Sequence, residues 1–360
     1  MRKVIFLGAG ASVAEGAPDQ SHLFNEYFKL VQDEPRHTEM ERELSTFFYL
    51  MFDIDVDHEN LNSTLFPTFE EAIGILDLAE LRRESLRDYD LETVAANSNR
   101  IRFIRQYLVL AMAEIIARTL QRETMYHRPL IKNLADYNLL PETLIISANY
   151  DIIIDNVLLE HYEHHGFPPG KRIDYGVRFA NCTMGRWDEP APDATCLLKI
   201  HGSLNWLFCR TCNCLTLTPG VKGVMNLVEN PSNALCNFCQ SLLTPVIVPP
   251  SFYKDMSNVF LGQVWNKAEV NLRDADQIIF CGYSFPDADM HIKYLLKRIE
   301  TNRQAGRNLR ITVINNHPGK QISQSELEKE RYSRFFKSEV DFTDASFQDF
   351  ASSPQKFYAK

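Results

Sequence analysis

The 360-residue chain predicts an α/β fold: a doubly wound parallel sheet carrying a helical insertion and a small cysteine-stapled module. Three observations predict it. Short apolar runs alternate with segments of helical periodicity, the pattern of a parallel sheet covered on both faces. The stretch from 35 to 140 has helical spacing and no strong strand signal. Between Leu207 and Thr244 the periodic apolar residues thin out and Cys, Asn, Gly and Pro take over, so that region needs an internal staple.

In chain order, Val4–Leu7 reads as a buried strand closed by the small turn Gly8-Ala9-Gly10-Ala11-Ser12. Leu23, Phe24, Tyr27, Phe28 and Val31 then recur at helical spacing. In the insertion, Phe69–Arg87 and Arg100–Arg122 read as amphipathic helices, the second with Ile101, Ile104, Leu108, Met112, Ile115 and Ile116 as its apolar positions. Such a face has to be buried, over the cleft or in an oligomer contact. Leu144–Ser147 is the next strand and Ile152–Leu159 its helix; Thr195–Ile200 is a strand ending at His201. Val246–Val248 re-enters as a strand and stops at Pro249-Pro250. Ser257–Leu272 reads as helix, Gln277–Cys281 as strand, Pro286–Ile299 as helix and Leu309–Asn315 as strand. The predicted domains are therefore 1–34, 141–206 and 245–320 (Rossmann-like, nucleotide-binding), 35–140 (helical insertion), 207–244 (cysteine module) and 321–360 (C-terminal helical tail).

Composition excludes several classes. At 45% hydrophobic and 24% charged, the chain is an ordinary globular sequence, and a formal charge of −9 argues against a whole-surface nucleic-acid binder. The apolar run after Met1-Arg2-Lys3 stops after four residues, shorter than a secretory signal core. Tyr107–Ala117 is too short to span a bilayer. The expectation is a cytoplasmic protein with reduced thiols.

In a parallel sheet, ligands bind at the carboxyl ends of the strands, where the Gly8, Asn149, His201, Gly282 and Asn315 segments all fall. Gly8-Ala9-Gly10 suits a turn whose backbone approaches a pyrophosphate, and it equally suits an ordinary strand-to-helix turn. The dehydrogenase fingerprint is absent: Val13 stands where a third glycine is wanted, and no acid ends a second strand about 20 residues on. Asn149 reads as a hydrogen-bonding site residue or a helix N-cap; His201 reads as a general base or a structural histidine. Cys209-x-x-Cys212 and Cys236-x-x-Cys239, separated by 23 residues, suit a closed four-thiolate zinc site of structural type, with Cys214 alongside as a competing ligand.

Taken in order, these pieces resemble the sirtuin family. Gly8-Ala9-Gly10-Ala11-Ser12, continuing to Gly16-Ala17-Pro18-Asp19, resembles its Gly-Ala-Gly-apolar-Ser … Gly-Ile-Pro-Asp-Phe-Arg loop. Ser147-Ala148-Asn149-Tyr150-Asp151 is similar to its Thr-Gln-Asn-Ile-Asp, and His201-Gly202 matches its catalytic His-Gly. Gly282-Tyr283-Ser284-Phe285 resembles its Gly-Thr-Ser-Leu, and Val313-Ile314-Asn315 its Val-Ile-Asn. The resemblance runs from residue 4 to 315 and leaves the insertion and the tail unmatched.

The resemblance implies NAD as substrate, a structural zinc ion, Asn149 and His201 as catalytic residues, and Gly8, Ala9, Gly10, Ser12, Asp19, Asp151, Gly282, Ser284 and Asn315 as NAD-binding residues, with Asp151 at the nicotinamide carboxamide. Departures from the deacylase pattern are specific. Gln20-Ser21 replaces Phe-Arg, and Pro245–Pro250 lacks the Phe-Gly-Glu that borders the acyl-lysine peptide groove. These features resemble divergent bacterial sirtuin-like proteins, many of which hydrolyse NAD in anti-phage defence. Three functions stay open: an NAD hydrolase releasing nicotinamide and ADP-ribose, an NAD-dependent protein deacylase, and an NAD- or ADP-ribose-sensing subunit of a larger complex. A hydrolase of this kind has to be gated, by homo-oligomer assembly, by a nucleotide signal or by a partner such as an ATPase.

Overall fold

The computed structural model describes residues 2–18, 22–86, 100–119, 124–182, 187–218, 227, 235–248, 258–287, 289–303, 308–317 and 319–359. By contact density the chain divides into two compact units, one of Met1–Ala17, Leu120–Ile247 and Met256–Lys360, the other chiefly Pro18–Thr119.

The first unit is built on a seven-stranded sheet. Its strands are β1 (Lys3–Leu7), β2 (Thr143–Ser147), β3 (Ile173–Asp174), β5 (Thr195–Lys199), β9 (Gln277–Cys281), β10 (Arg310–Ile314) and β11 (Val340–Phe342). Spatially they run β11-β10-β9-β1-β2-β5-β3, and every pairing is parallel. The chain winds outward from β1 through β2 and β5, then crosses back to β9 on the other side of β1. The switch point therefore lies between the ends of β1 and β9, where a doubly wound sheet opens its ligand crevice. The five residues of β1, β2 and β9 are buried throughout, so these strands read as continuous apolar runs rather than as alternation.

Flanking helices are α1 (Ala9–Val13), α6 (His127–Asp136), α7 (Ile153–His164), α8 (Pro169–Arg172), α9 (Val259–Arg273), α10 (Met290–Thr301), α11 (Ile322–Phe335) and α12 (Phe347–Ser352). The segment 321–360, expected to be a helical tail, belongs to this unit. β11 extends the sheet beside β10, and the final residues strap its lower edge: Lys3 Nζ donates to the Ala359 carbonyl at 2.6 Å, Ala359 N to Gln277 Oε1 at 2.9 Å, and Tyr358 OH meets Thr143 Oγ1 at 2.7 Å. The strand at 340–342 escapes a sequence reading because three residues carry too little periodicity.

A second sheet, in the order β4-β7-β6-β8, holds the cysteine module: β4 (Asn181–Cys182), β6 (Gly202–Cys209), β7 (Cys214–Leu217) and β8 (Thr244–Ile247). Here the structure corrects the sequence reading twice. Residues 202–209, whose last three were read into the loop-rich cysteine module, form the longest strand in the chain's described residues, and the strand near Val246 pairs antiparallel with β6 instead of joining the parallel sheet.

The second unit holds α2 (Leu23–Asp33), α3 (Glu39–Phe52), α4 (Phe69–Arg82) and α5 (Arg100–Thr119) and, among the described residues, no named strand. Thr38 and Thr68 start α3 and α4 with reciprocal capping boxes. Phe24, Phe28, Phe48 and Phe66 pack edge-to-face and stacked around one another. Arg36 crosses to the fully buried Glu114 on α5 with paired bonds of 2.9 and 3.1 Å. The boundaries differ from 35–140: α2 clusters with the insertion, and α6 clusters with the sheet unit, packed on α7 and α12. No helix among the described residues is long and apolar enough to cross a membrane.

Candidate active site at the strand ends

The ends of β1 and β9 meet without a gap. Gly8 N donates to the Cys281 carbonyl at 2.9 Å and Gly10 N to the Gly282 carbonyl at 2.8 Å. Gly282 has φ +64°, and a Cβ there would lie 2.2 Å from Ala11 N; a Cβ on Gly8 would lie 2.6 Å from the Gly282 carbonyl. The glycines are thus demanded first by backbone-to-backbone packing across the switch point. Two of the amides expected to approach a pyrophosphate are already bonded to the facing turn.

Ser12 joins two of the predicted segments, its own turn and Ser147–Asp151. Its Oγ donates to Asp151 Oδ2 at 2.6 Å and accepts from Asn149 Nδ2 at 2.8 Å; the same Nδ2 donates to the Gly8 carbonyl at 2.9 Å. Both amide hydrogens of Asn149 are therefore engaged, and Oδ1 is its remaining side-chain group, an acceptor. Asp151 Oδ1 accepts from Ile153 N at 3.0 Å, so Asp151, not Asn149, supplies the side-chain bond at the start of α7. Asn149, Asp151 and Ser12 are all buried.

His201 is 3% exposed, and its Nδ1 donates to the Ala148 carbonyl at 3.1 Å. That bond fixes the tautomer and leaves Nε2 as the basic nitrogen. The Tyr150 ring lies nearly parallel to the imidazole at 6.1 Å. Gly202 has to follow: its φ is +82°, and a Cβ would sit 1.8 Å from the Val246 carbonyl on β8. The His-Gly pair thus marks where the chain leaves the parallel sheet for the second one.

Beneath this layer Lys199 and Asp155, both fully buried, pair at 3.1 Å. Lys199 Nζ also donates to the Asp151 carbonyl, and Asn205 Nδ2 reaches Asp155 Oδ1 at 3.4 Å. Glu15 is a second residue the sequence reading missed. It accepts from the Met125, Tyr126 and His127 amides at 2.6, 2.9 and 2.8 Å and from His127 Nδ1 at 2.8 Å, capping α6 from just beyond the Ser12 turn. Burial opposes its charge, but the bonds from the His127 ring and backbone and from Met125 prevail and hold its pKa down at about 2. Neither Lys199 nor Glu15 carries a short-range signal; each becomes visible only when distant segments are brought together.

At the outer edge, Gly282 N donates to the Ile314 carbonyl at 2.9 Å, which sets Asn315 beside the Gly282 turn. Phe285, one residue past Ser284, has φ +55° and is fully buried against Tyr283, Phe335, Phe336 and Tyr332. A bulky residue in that region is strained, and the ring packing holds it there. Asp289 stands at the N-cap of α10 without a side-chain cap bond, and its carboxylate receives the Tyr283 hydroxyl at 2.8 Å. Ala9 is exposed on the first turn of α1. Asp19 lies outside the described residues.

The four thiols of Cys209, Cys212, Cys236 and Cys239 lie within 4.8 Å of one another, with Cys209 Sγ to Cys239 Sγ at 3.5 Å and Cys236 Sγ to Cys212 Sγ at 4.0 Å. A tetrahedral zinc with Zn–S near 2.3 Å requires S···S distances of about 3.8 Å, so the set fits. Each knuckle ends in a left-handed residue, Asn213 at φ +52° and Gln240 at φ +60°. Cys214 pairs across the strands with Cys209 and stays outside the group.

The sequence pattern of the SIR2-like domain matches residues 143–336, more than half of the chain. The chain belongs to the SIR2-like family. Its SIR2-like region spans the Asn149, His201, Gly282 and Asn315 segments and the cysteine module, which supports a sirtuin-type NAD-binding enzyme. A search of curated proteins finds no match. Among solved structures, a Sir2 mutant with a p53 peptide and NAD is 13% identical, covering 100% of this chain and 94% of that one at a TM-score of 0.40. A Sir2 mutant with a deacetylated p53 peptide and an acetyl ADP-ribose is 13% identical, covering 99% and 93% at 0.39. A structure described as the basis of sirtuin substrate affinity is 12% identical, covering 99% and 94% at 0.41. The sheet order, not these overlays, carries the fold.

Proposed function

We propose that this SIR2-like protein hydrolyses NAD to nicotinamide and ADP-ribose. The observation that carries the proposal is the pairing of a buried Asn149, with only an acceptor left to offer, and a buried His201 whose basic nitrogen is Nε2. NAD supplies a pyridinium leaving group, whose departure places positive character on the anomeric carbon. The chain's residues do the rest. Asn149 Oδ1 orients a ribose hydroxyl or the attacking water, and His201 Nε2 takes the proton that water loses as its oxygen bonds to that carbon. The Ser12–Asp151 bond and the Lys199 contact hold Asn149 and Asp151 in place. Gly8, Ala9, Gly10, Ser12, Asp19 and Asp151 are assigned to the nicotinamide and pyrophosphate side, and Gly282, Ser284 and Asn315 to the adenosine side. The four thiolates would hold a structural zinc, whose chemistry is to staple the second sheet, since no coordination position stays open.

Hydrolysis is favoured over deacylation by residues 20–21 and 245–250, which lack the peptide-groove pattern. By the same resemblance the protein acts in anti-phage defence through NAD depletion, gated by oligomer assembly or an activating partner. Incubating the purified protein with NAD, alone and with an acetylated peptide, tests this. Equimolar nicotinamide and ADP-ribose without peptide are expected. Nicotinamide release only with peptide makes the protein a deacylase; tight binding without turnover in any assembly makes it a sensor.

A further inference from the structure

Three histidines crowd the far end of α7, the helix that starts beside Asp151: His161 and His164 in its last turn and His165 at its C-cap. Residues four apart on a helix are neighbours on one face, and the His161 and His165 ring centroids lie 4.6 Å apart. His165 Nδ1 donates to the His161 carbonyl at 2.6 Å, which fixes its tautomer and leaves the lone pair on Nε2. A metal-bound imidazole makes this same backing contact through its other nitrogen. Burial, and next the His165 ring, hold the His161 imidazole below its usual pKa against the pull of Asp136, so it is neutral and able to ligate near neutral pH. His161 is half-buried and His165 exposed, so the pair is open to solvent.

The surroundings favour a cation. The negative end of the helix dipole and the last carbonyls of α7 fall here. Asp136 on α6 adds negative charge beside His161. The neighbouring carboxylates already have partners: Asp136 accepts from Lys132 Nζ, and Glu160 from Arg128 Nη2 at 2.7 Å. Among the described residues no third His, Cys, Asp or Glu joins the pair in a compact cluster, so water completes the coordination of an ion held there. Two histidines four apart on a helix are the spacing that holds zinc in helical metal sites. Imidazole nitrogen selects late first-row ions over magnesium and calcium, which take oxygen. We propose that His161 and His165 form a second metal site, for an exchangeable nickel, copper or zinc ion. With two protein ligands against four thiolates, it empties on desalting and leaves the cysteine module its own ion.

Zinc-loaded, desalted protein is titrated calorimetrically with nickel chloride at about pH 7.5, as wild type, H161Q, H165Q and H164Q, with circular dichroism recorded for each. H161Q and H165Q should each bind nickel about 10-fold or more weakly than wild type, because the helix supplies the second imidazole at a high effective concentration. H164Q should bind as wild type does. Nickel should raise the melting temperature of wild type and H164Q and leave that of H161Q and H165Q unchanged. Equal affinity in all four folded proteins, an adventitious ion only, overturns the inference. So does a loss in H164Q as large as in the other two, or a wild type that binds no nickel. None of these outcomes depends on the NAD reading, and nicotinamide release tests that reading separately.

Discussion

Asn149 has both amide hydrogens engaged with Gly8 and Ser12, so its contribution to chemistry is an acceptor held in place by the Gly8–Ser12 turn. Asn149→Ala should therefore abolish nicotinamide release while changing the melting temperature little. Ser12→Ala leaves Asn149 and Asp151 each short of a partner, and should lower turnover by about 10-fold or more through misplacement. The sequence alone identified Asn149 and His201 as candidates. It could not tell donor from acceptor, because that depends on Gly8 and Ser12, 137 or more residues away. Glu15 was invisible for the same reason. Its carboxyl is held near 2, below its ordinary value of 4.5, so its stabilisation is complete above about pH 4.5 and is lost as pH falls through 2. Stability of wild type should fall more steeply than that of Glu15→Gln between pH 4.5 and 2, by on the order of 1–3 kcal/mol in chemical denaturation. Parallel curves would remove the Glu15 cap from the description.

At the scale of elements, the Gly8 and Gly282 turns act as one unit because neither has room for a Cβ against the other. Gly282→Ala meets both a left-handed backbone and a contact of 2.2 Å with Ala11 N, and should cost more than about 3 kcal/mol or prevent folding. The knuckles were legible in full: four cysteines at two-residue spacing predict the cluster that the second sheet brings together. The strands that carry them were not, since Gly202–Cys209 is buried at seven of its eight positions and has no alternation to read. Metal analysis should find one zinc per chain. Cys209→Ser should lower both zinc content and melting temperature, because binding energy at such a site is folding energy. A zinc-free protein of unchanged stability would refute the site.

Across the whole molecule, the central five strands of the sheet, β10-β9-β1-β2-β5, follow from apolar runs, and their order makes the switch point coincide with the glycine turns. The two outermost strands, at 173–174 and 340–342, are too short to announce themselves. Removing residues 337–360 should destabilise the sheet unit, since it strips β11 and the strap on Lys3, Thr143 and Gln277; limited proteolysis that trims this segment without loss of folding would contradict that placement. The amphipathic helices of the second unit are proposed to serve assembly, which light scattering with and without NAD examines. The most direct measurement is nicotinamide release from NAD by the purified, assembled protein, wild type against Asn149→Ala, with no peptide present. Wild type should release nicotinamide and ADP-ribose in equal amounts and the variant neither; full turnover by the variant, or dependence of the wild type on an acyl-lysine peptide, would contradict NAD hydrolysis at this site.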